Sequence, residues 1–389
     1  MSTDQHALIA APGSTAALRQ ANEQRLVDLL RTSAGQPVTQ ADVARSTGLA
    51  SATVSNIVRD LVAAGVLETT PGAGRRGTVL RLARTAGVVA AVDFGHTHVW
   101  VAVGDLMGGI LGEFSEPIDQ AHDHRDGLRR AEELLDQVLQ EAGVPRTLLR
   151  AVCLGLPGPI DDGHVRSLGI LPGWVGVDAV KVAGETFGVR VLVENDANLG
   201  AVAEHRLGAA QGSSNVVFVK ASSGVGGGLI VNGELFRGSR GTAGEIGHLA
   251  LNENGPVCRC GNRGCLEAYA SAGAILAVAR EHHPNATIAD LAQAARDGQP
   301  SAQRLLEDAG LYLGWGLAAA ASLINPDVIV VGGDLASAGD GILEAVRTGL
   351  RRHALTDAGA TVIALSTLGS RASLIGGLLV AADHTELFS

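Results

Sequence analysis

Hydrophobic positions follow two different periods along this 389-residue chain, and the change between them falls near residue 85. Ahead of it the spacing is helical. Leu18, Leu26, Leu29 and Leu30 share one face of a helix expected to start near Ala16 and stop at Gly35. Thr39 then stands where an N-cap belongs, before a short helix carrying Val43 and Ala44. Gly48 supplies a turn, and Ser51 is expected to cap a second helix with Val54, Ile57, Val58, Leu61 and Val62 inward. Beyond Leu67, ETTPGAGRRGTVLRLA reads as two short strands around a Gly-Pro-rich tip. Helix, tight turn, helix and basic tip in that order describe a winged helix-turn-helix over residues 16–84. Residues 1–15 are polar and irregular, an arm expected to be disordered.

From Val88 onward the pattern is one of apolar runs, at 88–92, 99–103, 151–156, 189–193, 216–219 and 328–331. Glycine turns and helical stretches separate them. The alternation predicts an α/β body over residues 85–389, in two lobes. AAVDFGHTHVWVAVGD and VFVKASSGVGGGLIVNG each read strand, glycine turn, strand, as an internally duplicated fold with a cleft between its halves would require.

Charge separates the same two parts. Residues 1–84 carry nine Arg against six acids, a net +3, while the remainder carries 21 basic against 34 acidic residues, a net −13. A basic head on an acidic body points to nucleic acid for the head alone. On the second head helix, Ser51, Thr53, Ser55, Asn56 and Arg59 fall on the face away from the core, small or hydrogen-bonding side chains suited to a major groove. Arg75 and Arg76 on the tip suit phosphates or a narrow minor groove. The alternative is a helical domain used only for protein interaction. With no basic-then-apolar leader and no apolar run of membrane length, the expectation is a cytoplasmic protein with no membrane partner.

Three of the four cysteines lie together, Cys258, Cys260 and Cys265, with His248 ten residues ahead across Gly255 and Pro256. That is a Cys3His set for tetrahedral zinc in the loop 248–265, and four protein ligands leave no position open for water, so the zinc is expected to be structural. Ordinary buried cysteines are the alternative. In VENDANLGAVAEH, Asp196 follows a strand and precedes a helix, where a carboxylate can accept a proton from an alcohol attacking a phosphoryl group. Helix capping by Asp196 or Asn198 is the competing reading. Glu194, Asn195 and Asn198 can bond hydroxyls, and Glu245, His248 and Glu267 gather more polar groups around the cysteine loop, a set that suits a sugar. Gly224, Gly226, Gly227 and Gly228 could cradle a nucleotide, and Asp93 could hold a metal-bound water, although tight hairpins need glycine anyway.

The order of winged helix, DFG turn, GLPGPID, ENDAN, SSGVGGG, GEIGH, CRCGNRGCLE and INPDVIVVGGDL resembles the ROK family, which joins sugar-responsive repressors and sugar kinases. The match covers nearly the whole chain after residue 15. The resemblance implies an actin-like, hexokinase-like fold in two lobes, with sugar and ATP subsites in the cleft. It aligns Asn195, Asp196, Glu245, His248 and Glu267 with sugar contacts and Asp196 with the catalytic base, and it has His248 serve metal and sugar at once. Asp93, Gly95 and Thr97 match a first phosphate turn, Ser223 to Gly228 a second, and Gly332 and Gly333 an adenosine segment. ATP and magnesium are the implied cofactors beside zinc. Four positions depart from the pattern: His96 and Ser222 replace usual glycines, His98 replaces a lysine or similar residue, and Ile170 stands where an asparagine often touches the sugar. A side chain at 96 would crowd the phosphates.

The reading that joins these features is a transcriptional regulator of carbohydrate metabolism, expected to be a repressor. Its head would bind operator DNA as a homodimer or homotetramer, under control of a sugar or sugar derivative in a kinase-like cleft, with the question of catalysis left open. An active ATP-dependent sugar kinase with an accessory head is the alternative, because Asp196 is present. A ligand-blind DNA-binding protein is a third.

Overall fold

The computed structural model describes residues 14–33, 36–72, 77–119, 122–166 and 171–388. Most of the expected arm, Gly35, the wing-tip residues Arg75 and Arg76, and Ile170 lie outside the described residues.

In the head, α1 (Thr15–Thr32) starts at Ser14, whose hydroxyl accepts the Ala17 N–H at 3.1 Å. Its apolar contacts come from the second half: Leu26, Val27 and Leu30 are buried, whereas Leu18, expected on the same face, is 61% exposed. After β1 (Val38–Thr39), α2 (Gln40–Thr47) begins with a capping box in which Thr39 and Asp42 bond each other's backbone, a device contributing about 1 kcal/mol. Gly48 closes α2 in the left-handed region, φ 72°. α3 (Ser51–Ala63) corrects the sequence reading of its cap. Ala50 occupies that place, extended and with its carbonyl already accepting the Val54 N–H, so Ser51 falls inside the first turn and caps nothing. Val54, Ile57, Val58 and Leu61 form the buried stripe; Val62, expected inward, lies at its edge and stays 39% exposed. β2 (Leu67–Thr70) and β3 (Val79–Leu82) pair antiparallel, and β1 joins β3 to complete a three-stranded sheet.

The body repeats one plan twice. In the first lobe β4 (Val88–Phe94), β5 (His98–Asp105) and β6 (Ile110–Pro117) form an antiparallel meander. α4 (His124–Glu141) leads into β7 (Leu149–Leu156), the short hairpin β8 (Ile160–Asp161) and β9 (His164–Val165), then α5 (Ala179–Phe187) and β10 (Arg190–Asn195). The sheet order is β6-β5-β4-β7-β10, with β7 and β10 parallel to β4. Following α6 (Asp196–Leu207), the second lobe lays down β11 (Val216–Ala221), β12 (Val225–Val231) and β13 (Glu234–Leu235) as another meander. α7 (Glu267–Ala270), α8 (Ala272–Ala279), α9 (Ile288–Arg296) and α10 (Pro300–Ile324) precede β14 (Val328–Gly332). α11 (Asp340–His353) and α12 (Thr356–Gly359) precede β15 (Val362–Leu365), and α13 (Ala372–Asp383) ends the chain's regular structure. Its sheet order, β13-β12-β11-β14-β15, is the first lobe's order again. The paired strand–turn–strand echoes in the sequence are the opening hairpins of these two sheets.

Two helices lie at the boundary between the lobes. α13 packs on β4 and β7 of the first sheet, α6 on β11 and β12 of the second, and the two pack on each other. They approach closely because Gly376 has no side chain: a Cβ there would stand 1.9 Å from the Leu199 carbonyl oxygen. The head is continuous with this layer. Leu26, Val27, Leu30 and Val58 share one hydrophobic core with Ala91, Leu199, Leu374 and Leu378. Arg31, at the end of α1 and 5% exposed, donates to the Thr385 carbonyl at 2.9 Å, just beyond α13. Among the described residues no helix is long and apolar enough to cross a membrane.

Candidate functional site

The cysteine loop folds on itself through backbone bonds: Leu251 N–H donates to Gly264 O at 2.8 Å and Leu266 N–H to Leu249 O at 2.9 Å. This brings His248, at the end of a one-turn helix over Ile246–His248, beside the three thiols. The ligating atoms of His248, Cys258, Cys260 and Cys265 all lie within 4.8 Å of one another. His248 Nδ1 is 3.7 Å from Cys258 Sγ, and Cys260 Sγ is 3.7 Å from Cys265 Sγ. A tetrahedron with zinc–sulfur bonds of ~2.3 Å has sulfur–sulfur edges of ~3.8 Å, so donor set and spacing fit the ion. Burial first of all pushes the Cys265 thiol up to about 12, so this ligand sheds a proton when a metal binds.

His248 joins this cluster to a cavity of about 260 Å³ between the lobes. Its Nδ1 faces the cysteines, while Nε2 faces Glu245 Oε2 at 3.8 Å. Asn195, Asp196, Glu245, His248 and Glu267 all line the cavity, together with Gly158, Lys220 and Asp334. Glu245 is pushed up to about 7, by burial above all and then by Asp196 and Glu267, so near neutrality it can donate as well as accept.

Two members of the set are committed inside the protein. The Asn195 amide is the N-cap of α6: Oδ1 accepts from the Ala197 and Asn198 N–H groups at 2.9 and 3.1 Å, and Nδ2 donates to Gly158 O at 2.9 Å. The helix cap is therefore Asn195, not Asp196 or Asn198, the two capping candidates of the sequence reading. Glu267 Oε1 accepts from Arg259 Nε at 2.6 Å and Oε2 from the Val225 N–H at 3.0 Å. Burial opposes its ionisation, but Arg259, the Val225 N–H and His248 together outweigh burial and hold the carboxyl below its usual range. Glu194, beside them, is spent on Asn198 at 2.8 Å and Arg237 at 2.6 Å.

The two expected phosphate turns meet the cavity only in part. Gly95, Thr97, Ser223, Gly224 and Gly226 line it, as do His96, His98 and Ser222. Gly227 and Gly228 do not; they let β12 pass against Gly244 O and Ala197 O, where any Cβ would stand 2.7 and 2.5 Å away. They are packing glycines. His96 Nε2 is 3.0 Å from Arg259 Nη1, which draws the cysteine loop to the first turn. Asp93 and Gly333 line a second, larger cavity of about 710 Å³, and Gly332 packs on Phe218. Lys220, His98, Ser222 and Asp334 line both cavities, so they stand at the neck between them.

Lys220, Asp334, Arg259 and Ser373 are the residues that sequence reasoning passed over. Lys220 left a signal: the chain has two lysines, and this one interrupts the apolar run Val216–Ala221. Its ammonium bonds Asp196 Oδ2 at 2.8 Å and Ser373 Oγ at 3.2 Å. Burial pulls its pKa down, yet Asp196 and Asp93 carry it above its ordinary value.

In the head, Ser51, Ser55, Asn56 and Arg59 are exposed on α3 and Thr53 is half-buried. Ser55 bonds Gln40 Oε1 at 2.9 Å, and Arg59 bonds Asn56 Oδ1 at 3.0 Å, which holds the exposed row in register with α2.

Residues 89–384 match the ROK family, and residues 9–76 match the MarR family. The chain is 29% identical over 381 residues to the xylose repressor of Bacillus spizizenii, with 94% of this chain and 96% of that protein covered. It is 31% identical over 305 residues to the glucokinase of Halalkalibacterium halodurans, covering 74% of this chain and 92% of the kinase. Among solved structures, a ROK family transcriptional regulator homologous to the E. coli MLC protein superimposes with a TM-score of 0.75 at 26% identity, over 93% of this chain and 96% of that one. The winged-helix head and the duplicated two-lobed body thus find their counterparts together, and the chain belongs to the ROK family, in its branch that carries a MarR-type head.

Proposed function

We propose that this protein is a sequence-specific DNA-binding regulator of carbohydrate metabolism, a repressor, whose hold on its operator is set by a sugar or sugar derivative in the cleft. One observation carries the reading: α6 and α13 both start at the cleft and pack on each other, and α13 ends at the head. Asp196 opens α6 and Ser373 lies in the first turn of α13, tied together by Lys220. At the far ends Arg206 pairs with Asp383 at 2.6 Å, and Arg31 of the head grips Thr385 O. A ligand that shifts Asp196 therefore acts on α6 and, through it, on α13, which bears on the DNA-binding unit. The MarR-type head and the similarity to a xylose repressor support the same reading.

In this account Asp196, Glu245 and His248 face the sugar hydroxyls, with Asn195 and Glu267 holding the walls. Zinc in the Cys3His set braces His248. Ser51, Thr53, Ser55, Asn56 and Arg59 read the major groove, and Arg75 and Arg76 reach the backbone. The protein works in the cytoplasm as a homodimer or homotetramer, its heads meeting half-sites ~34 Å apart or a multiple of that. Operators selected from random oligonucleotides, followed by a thermal-shift screen of hexoses, pentoses, N-acetyl sugars and sugar phosphates, test it. At least one sugar should raise the melting temperature and change operator affinity. A screen in which none does, or in which one is phosphorylated at the expense of ATP, would overturn the reading.

A further inference from the structure

Lys220 stands at the neck between the two cavities, among carboxylates. Asp196 Oδ2 touches its ammonium, and Asp93 and Asp334 lie close enough for their charges to act on it. Asp93 is 3% exposed, and its Oδ1 has no hydrogen-bond partner; Oδ2 has only His98 Nε2, at 3.8 Å. Take the lysine away and the carboxylates of Asp93 and Asp196 lose the cation they share, with the exposed Asp334 at the same neck. Such a cluster is stable only with a compensating cation, and oxygen donors of this kind hold a hard divalent ion such as magnesium or manganese. With the ammonium 2.8 Å from Asp196 Oδ2, a divalent metal has neither room nor favourable charge there.

We infer that Lys220 is a cation supplied by the protein itself in the place where a divalent metal would bring a nucleotide into the cleft. The residues at the neck therefore do not fit a magnesium ion, and the cleft takes its ligand without that metal. Asp196 serves as a fixed hydrogen-bond acceptor. The sugar reading of the cleft enters only in this last consequence; the exclusion of metal rests on Lys220, Asp93 and Asp196 alone.

Manganese binding to the full-length, zinc-loaded protein, read by the electron paramagnetic resonance of free Mn2+, tests it. The wild type should bind neither Mn2+ nor Mn2+ with a non-hydrolysable ATP analogue at the neck. Lys220→Ala should gain one Mn2+ site, on the order of 100-fold tighter than any in the wild type, because a like charge has left and the carboxylates remain. Adding Asp93→Asn should abolish the gain. Lys220→Met, which keeps the side-chain length without the charge, guards against collapse of the Ala variant, and the wild-type arm stands whichever variant folds. Manganese with the analogue bound to the wild type would overturn the inference, as would folded Lys220 variants that take up none. A sugar screen without hits alongside the expected manganese results would remove the sugar reading and leave the role of Lys220 intact.

Discussion

Cys260 is the exposed member of the Cys3His set, while Cys258 and Cys265 are buried. Changing it to serine costs almost no packing, so any loss reports the metal. Cys260→Ser should drop zinc from one equivalent per chain to under ~0.1 by atomic absorption and remove the sugar response. A zinc-free variant that keeps its sugar response would show that His248 needs no brace. At this scale the sequence pointed to the Cys3His cluster, and the fold brings its four ligating atoms within 4.8 Å of one another. The sequence could not tell which polar residues face inward and which are spent on backbone. Asn195 and Glu267 look like ligand contacts in a string of letters, yet each has its donors or acceptors engaged within the protein. Lys220 shows the converse: its meaning comes from Asp196 and Ser373, 24 and 153 residues away in the chain.

The elements were legible where they are buried. Apolar runs mark β4, β5, β7, β10, β11 and β14, and helix periodicity marks α2 and α3. The edge strands β6, β13 and β15 were not legible, since strands with an exposed side carry mixed residues such as ILGEFSEP. Nor does any local pattern announce that α13, packed on α6, links the cleft to the head. That link makes a prediction at its own scale. Arg31→Ala removes the guanidinium that holds Thr385 O but touches neither the exposed face of α3 nor the cleft. Operator affinity without ligand should stay within ~3-fold of wild type while the sugar-induced change falls ~10-fold, a loss of most of a typical coupling energy. Anisotropy titrations with and without sugar measure both. A full sugar response in Arg31→Ala would remove this route.

For the whole molecule, a head of net +3 on a body of net −13 confines DNA contact to one end. Operator affinity should fall steeply with salt, the slope of log affinity against log salt growing by roughly 0.9 per phosphate neutralised. Arg75→Ala with Arg76→Ala should flatten that slope by up to ~2, and an unchanged slope would contradict a wing that touches the backbone. Two heads are needed to span half-sites, so sedimentation should give a dimer or tetramer at concentrations where the operator is saturated.

The central claim is that cleft occupancy sets DNA binding. The most direct measurement is operator affinity of the full-length protein, by fluorescence anisotropy at fixed salt, with and without a sugar that raises its melting temperature. The account predicts a ~5–150-fold change with that sugar and none with ATP. Operator affinity unmoved by a sugar that demonstrably binds the cleft would contradict it.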